Sequence, residues 1–164
     1  MSLTLVVVAA LSRAICYLPP VDVPIVEPFV VAPCVYCAGG HRGVEYNVLP
    51  GTHVRAAAGG TVVFDGVVVG TRYLVVLGDD GLAATYGKLA SATAATGRRV
   101  APGDDIGVSG PRLYFGLRSG GSYVDPETYL AVTRRRPRLV PSNGRPGRPS
   151  WLLPATCPAA ESGR

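Results

Sequence analysis

Apolar and polar positions along the middle of the chain fall into short runs, each broken within a few residues by glycine, proline, asparagine or aspartate. Between His53 and Leu130 the stretches THVRAAA, GTVVFDGVVV, RYLVVLGDDGLAATYGKL, RRVAPGDDIGV and RLYFGLRSGGSYV repeat this pattern. Runs rich in β-branched residues and bounded by turn formers predict strands, and many short strands in succession predict an antiparallel all-β domain. The stretch YLVVL-GDDG-LAATY predicts a hairpin, with Gly81 taking the positive φ of a tight reversal. Gly59, Gly60, Gly66, Gly70 and Gly78 read as further turn formers. No stretch carries a helical period.

The flanks differ from this middle. Residues 18–40 open with LPPVDVPIVEPFVVAP. Its prolines remove ladder donors and fix φ, which predicts an extended lead-in running along the domain surface. Residues 1–17 include the apolar run Leu3 to Leu11, which has signal-peptide length and is too short to span a bilayer as a helix. It lacks a basic start, and Arg13 spoils a lipid-attachment pattern before Cys16. Two readings stand: an export leader cut before Leu18, which is favoured, and an N-terminal buried strand. Residues 131–164 are rich in arginine, proline and glycine, a composition that predicts a mostly disordered tail. That tail contacts an anionic surface or is merely solvated. The domain proper is placed at 41–130.

The 164 residues, 48% of them hydrophobic, suffice for one domain with a core. The formal charge of +5 is unevenly placed. From Arg134 onward there are seven arginines against Glu161, so the tail carries about +6 and the remainder about −1. A near-neutral domain without a recognition helix or an aromatic platform gives no support for nucleic-acid binding.

Candidate chemistry begins at HRGVEYN, residues 41–47, where His41 and Glu45 are four positions apart. Gly43 between them and Pro50 and Gly51 beyond favour a loop or strand start, so the spacing alone does not place both on one face. Cys34-Val35-Tyr36-Cys37 upstream has the spacing of half a zinc knuckle, but His53 is the only other histidine and a second pair is missing. In an exported chain a disulfide is the better reading, with Cys34 bonded to Cys37 or to Cys157.

Taken in order, HRGVEYN, PGTHVRAAAGGTVVFDG, YLVVLGDDGLAATYGKL, GRRVAPGDDIGVSG and GPRLYFGLRSGGSYVDPETYL resemble the M23 peptidase family, the lysostaphin- or LytM-like zinc endopeptidases that cut peptidoglycan cross-bridges. The resemblance covers residues 41–130 and implies a compact, mostly antiparallel β domain with a groove over one sheet. RRVAPGDDIGV also looks like a turn of biotinyl and lipoyl carrier domains, but Lys88 lacks the setting those domains use.

The resemblance carries over unevenly. The family's His-x-Gly-x-Asp binds zinc through His and Asp; His41 matches, and Glu45 replaces the Asp. The histidine of Tyr-x-His-Leu is replaced in Tyr86-Gly87-Lys88-Leu89. In the last motif, Gly-Pro-His-Leu-His-Phe, both histidines are replaced, giving Gly110-Pro111-Arg112-Leu113-Tyr114-Phe115. Arg112 cannot act as a general base, and Tyr114 is a poor substitute for imidazole as a ligand. An ion pair between Glu45 and Arg112 across the former site is expected. The implied function is a catalytically inactive domain, exported to the cell envelope, that binds peptidoglycan or regulates a cell-wall hydrolase or divisome-type partner. Its groove would be lined by His41, Glu45, Tyr86, Lys88, Arg112 and Tyr114, with Lys88 and Arg112 suited to a carboxylate. No cofactor is expected. The alternative is a zinc endopeptidase with a ligand set of His41, Glu45 and Tyr114, assisted by Cys37; a third reading is a scaffold with neither activity.

Overall fold

The computed structural model describes residues 16–32 and 39–131. Nine strands form one sheet among these residues: β1 (Ile25–Glu27), β2 (Val44–Asn47), β3 (His53–Arg55), β4 (Gly60–Val68), β5 (Thr71–Gly78), β6 (Leu82–Ala92), β7 (Arg99–Val100), β8 (Asp105–Ser119) and β9 (Ser122–Val124). Their order is β1-β2-β8-β6-β5-β4-β7, with β3 and β9 also pairing β8, and every strand pair is antiparallel. The only helical turn among the described residues is the 3-10 segment Pro126–Thr128, capped by Asp125, whose carboxylate accepts from the Glu127 N–H. The expected all-β class and the β5–β6 hairpin are present, with Gly81 at φ 84°. No described helix is long and apolar enough to cross a membrane.

β8 is the spine of the sheet. Its register places Phe115 between Val44 and Tyr86, and Tyr114 between Glu45 and Gly87. Successive side chains on a strand point to opposite faces. Val44, Tyr46, Leu113, Phe115 and Tyr86 therefore enter the core, all at 2% exposure or less, while Glu45, Arg112 and Tyr114 share the opposite face.

The lead-in is more integrated than its prolines suggest. Tyr17 is fully buried; its N–H donates to the Tyr129 carbonyl, its carbonyl accepts from Ala131 N–H, and its hydroxyl donates to Asp80. Val21 is also in the core, and Ile25–Glu27 joins the sheet at the β2 edge. The folded unit thus takes in Tyr17, from the segment read as a leader or an N-terminal strand, and Ala131, from the segment read as the tail. Burial of a large apolar ring outweighs the weak sequence pattern on which those boundaries rested. The rest of both flanks, residues 1–15 and 132–164, lies outside the described residues.

Candidate functional site

Glu45 is the centre of the candidate site. It is a charged residue at 6% exposure on β2, and a carboxylate so placed needs cationic partners. Two are supplied. Lys88 Nζ donates to Glu45 Oε1, and Arg112 Nε lies 2.8 Å from Glu45 Oε2, close in charge but not aligned as a hydrogen bond. Arg112 Nη2 also donates to Glu27 Oε2 at 2.8 Å. The expected Glu45–Arg112 pair is therefore present, and it is part of a larger network.

Lys88 reaches Glu45 through a break in the β6–β8 ladder. Gly87 pairs with Tyr114 and Leu89 with Ser109, so Lys88 on one strand and residues 110–113 on the other fall between the paired positions. Lys88 has φ 63°, a left-handed conformation that costs a non-glycine residue about 1 kcal/mol. The irregularity reverses the alternation. Tyr86 points into the core, whereas Lys88 turns to the Glu45 face.

His41 closes the inner side of the cluster. It forms an isolated bridge with Val30, its Nδ1 lies 2.9 Å from the Pro28 carbonyl, and its Nε2 lies 3.8 Å from Glu45 Oε1. A carbonyl only accepts, so Nδ1 carries the proton in that bond and Nε2 faces the carboxylate. The His41 ring also meets Tyr114 edge-on, with centroids 5.9 Å apart. Tyr114 donates its hydroxyl to the Arg42 carbonyl at 2.9 Å, and burial pushes its phenol above the usual range. Glycines make room for this ring. A Cβ at Gly43 would stand 2.7 Å from the ring carbons, and one at Gly116 2.6 Å from its hydroxyl.

The structure thus gathers His41, Glu45, Lys88, Arg112 and Tyr114, and corrects one sequence assignment. Tyr86 is not a groove residue: it is fully buried, and its hydroxyl accepts from Ala57 N–H at 2.7 Å. Glu27 was missed. It stands opposite Glu45 in the β1–β2 register, and in VPIVEPF only a lone acid among apolar residues hinted at it. His53 lies elsewhere, paired with Asp105. Cys16 is disulfide-bonded, a role the sequence reading did not give it; Cys34 and Cys37 lie outside the described residues. A cavity of about 580 Å³ is lined by Pro19, Val21, Ile25, Tyr46 and Leu130 among others. Because Tyr46 and Glu45 point to opposite faces of β2, this cavity is not the candidate site.

Residues 39–126, more than half of the chain, match the family model of Peptidase family M23. The chain belongs to this peptidase family. Among solved M23-like structures, Csd3 of Helicobacter pylori superposes with a TM-score of 0.64 at 25% identity, covering 73% of this chain and 36% of Csd3. The catalytic domain of the prophage-encoded M23 protein EnpA from Enterococcus faecalis, crystallised as a point mutant, gives 0.57 at 26%, covering 69% of this chain and 97% of that domain. The catalytic domain of the antimicrobial peptidase lysostaphin from Staphylococcus simulans gives 0.56 at 23%, covering 64% and 90%, and shares the fold. The uncharacterized protein Rv2891 of Mycobacterium tuberculosis is 33% identical over 121 residues, 65% of this chain. The chain spans about half the length, 47%, of that curated relative.

Zinc in an M23 site needs donors with free lone pairs and an open position for water. Here the motif positions hold Lys88 and Arg112, which donate and cannot ligate, and Tyr114, whose raised phenol stays protonated and donates to a backbone carbonyl. Of the three zinc-holding positions in the family's motifs, His41 and Glu45 keep donor atoms, Glu45 already paired with Lys88 and Arg112, and only the third, Tyr114, carries a group unsuited to ligation. A metal-capable group of other composition does exist: ligand atoms of Glu27, His41 and Glu45 lie within 4.8 Å of one another.

Proposed function

We propose that this M23 domain is a non-hydrolytic module of the cell envelope that binds the peptide portion of peptidoglycan over the Glu45 face, and through that binding regulates cell-wall hydrolysis. The observation that carries the reading is the pairing of Glu45 with both Lys88 and Arg112. Two cations are spent on the carboxylate that a hydrolytic member would spend on metal, and no side chain at 88, 112 or 114 can serve as an imidazole base. The disulfide at Cys16 supports an oxidising compartment, in keeping with export.

On this reading the surviving residues bind and orient. The guanidinium of Arg112 is 42% exposed and directs Nη2 and Nε inward, leaving Nη1 for a ligand carboxylate. The ammonium of Lys88, although 38% exposed, is engaged by Glu45 and is not the free anchor that its sequence position suggests. Tyr114 and His41 offer ring edges and faces to a peptide backbone.

The test is co-sedimentation with purified peptidoglycan alongside a dye-release assay for hydrolysis, each run with and without added zinc. Saturable binding without release of fragments is expected, with binding reduced by Arg112→Glu. Zinc-dependent release of fragments by the wild-type chain would overturn the reading, as would binding that Arg112→Glu leaves unchanged.

A further inference from the structure

The two carboxylates and the imidazole at the site are arranged as if around a cation, and the chain itself provides one. Arg112 contacts the same oxygen, Oε2, on both Glu27 and Glu45. That leaves Oε1 on each. Glu45 Oε1 is the oxygen that faces His41 Nε2, and it is also the oxygen that receives Lys88 Nζ. His41 meanwhile holds its Nδ1 against the Pro28 carbonyl, the arrangement by which a backbone acceptor fixes a ligating imidazole. Glu45 is more than nine-tenths buried, and its Oε2 has no aligned hydrogen bond, so its charge depends on these cations.

We infer that Glu27, His41 and Glu45 form a closed divalent-cation site in which the Lys88 ammonium takes the place of the metal and Arg112 orients the two carboxylates. His41 and Glu45 stand at the family's zinc-motif positions, but Glu27 lies outside the region matched by the M23 model, residues 39–126, so the third donor and the Lys88 cation that closes the site are this chain's own. Lys88 is suited to the task because its left-handed backbone at a break in the ladder aims it across β8 at Glu45. The inference rests on the proposed metal-free state of the wild-type domain. It concerns what keeps the site metal-free, not what the face binds.

The experiment is zinc uptake by equilibrium dialysis with metal analysis, together with a thermal-shift titration with zinc alone. Lys88→Met removes the ammonium, and Lys88→Gly removes it while suiting the positive φ, with circular dichroism selecting the variants that are folded. The wild-type chain is expected to retain no stoichiometric zinc. Either folded variant should take up one zinc per chain, with affinity tightened by about tenfold or more, and should lose it when Glu27→Gln is added. Stoichiometric zinc in the wild type would overturn the inference. So would folded Lys88 variants that bind no more zinc than wild type, or uptake that is insensitive to Glu27→Gln. Peptidoglycan binding is measured separately on the same preparations, so failure of the proposed function is distinguishable from failure of this site.

Discussion

Glu27 and Glu45 stand directly opposite each other on neighbouring antiparallel strands, and Arg112 contacts Oε2 of both. Like charges in that register repel, so the β1–β2 pairing depends on the guanidinium between them. The same guanidinium that pairs with Glu45 therefore fastens β1 to the sheet.

Glu45→Gln keeps the shape and deletes the charge, leaving Arg112 with Glu27 and Lys88 without its carboxylate. Because both cations are partly exposed, the expected loss is about 2 kcal/mol, below the range for a fully buried pair. Urea unfolding measures it, and a double-mutant cycle with Arg112→Met should give a coupling of about 1 kcal/mol or more. Additive effects would show that the contact is incidental.

Gly43→Ala should destabilise the domain by about 2 kcal/mol, the cost of overpacking against atoms that cannot yield. Its Cβ would meet the Phe115 carbonyl at 2.5 Å and the Tyr114 ring at 2.7 Å. Tyr114→Phe, which removes only the hydroxyl bond to Arg42, should cost about 1 kcal/mol. Thermal melts of the two variants check the order.

Tyr17→Ala should cost about 3 kcal/mol or more, since a fully buried ring leaves a cavity under the 3-10 segment. Tyr17→Phe isolates the Asp80 bond and should cost about 1 kcal/mol. If Tyr17→Ala melted like the wild type, Tyr17 would not belong to the folded unit.

The domain should lose stability in alkali. Burial pushes Tyr46 and Tyr86 above their usual value of 10, and burial together with Asp80 does the same for Tyr17. Below pH 10 both states hold these protons, and the groups contribute no pH dependence. Above it the unfolded chain releases protons that the folded chain keeps, so stability falls as pH rises. Tyrosinate absorbance from these groups should therefore appear together with unfolding, as followed by circular dichroism, and not ahead of it.

Much was legible in the sequence because strands and turns are local. Runs of β-branched residues between glycines located the all-β domain, and Gly81 located a hairpin. The replaced motif positions Lys88, Arg112 and Tyr114 could be read directly, because the chemistry of a side chain is fixed by its identity. Tertiary structure alone decided how they meet. Alternation along β6 puts Tyr86 and Lys88 on one face, but the break at Lys88 reverses it and sends one to the core and the other to Glu45. Glu27 enters only because β1 pairs with β2, a contact between residues 18 apart whose register no local pattern encodes. The sequence by itself determined which groups were available and that positions 88, 112 and 114 carry no imidazole. Long-range strand pairing determined that two carboxylates, a histidine and two cations share one face and balance one another's charge, because a buried charge is stable only where the fold brings it a partner.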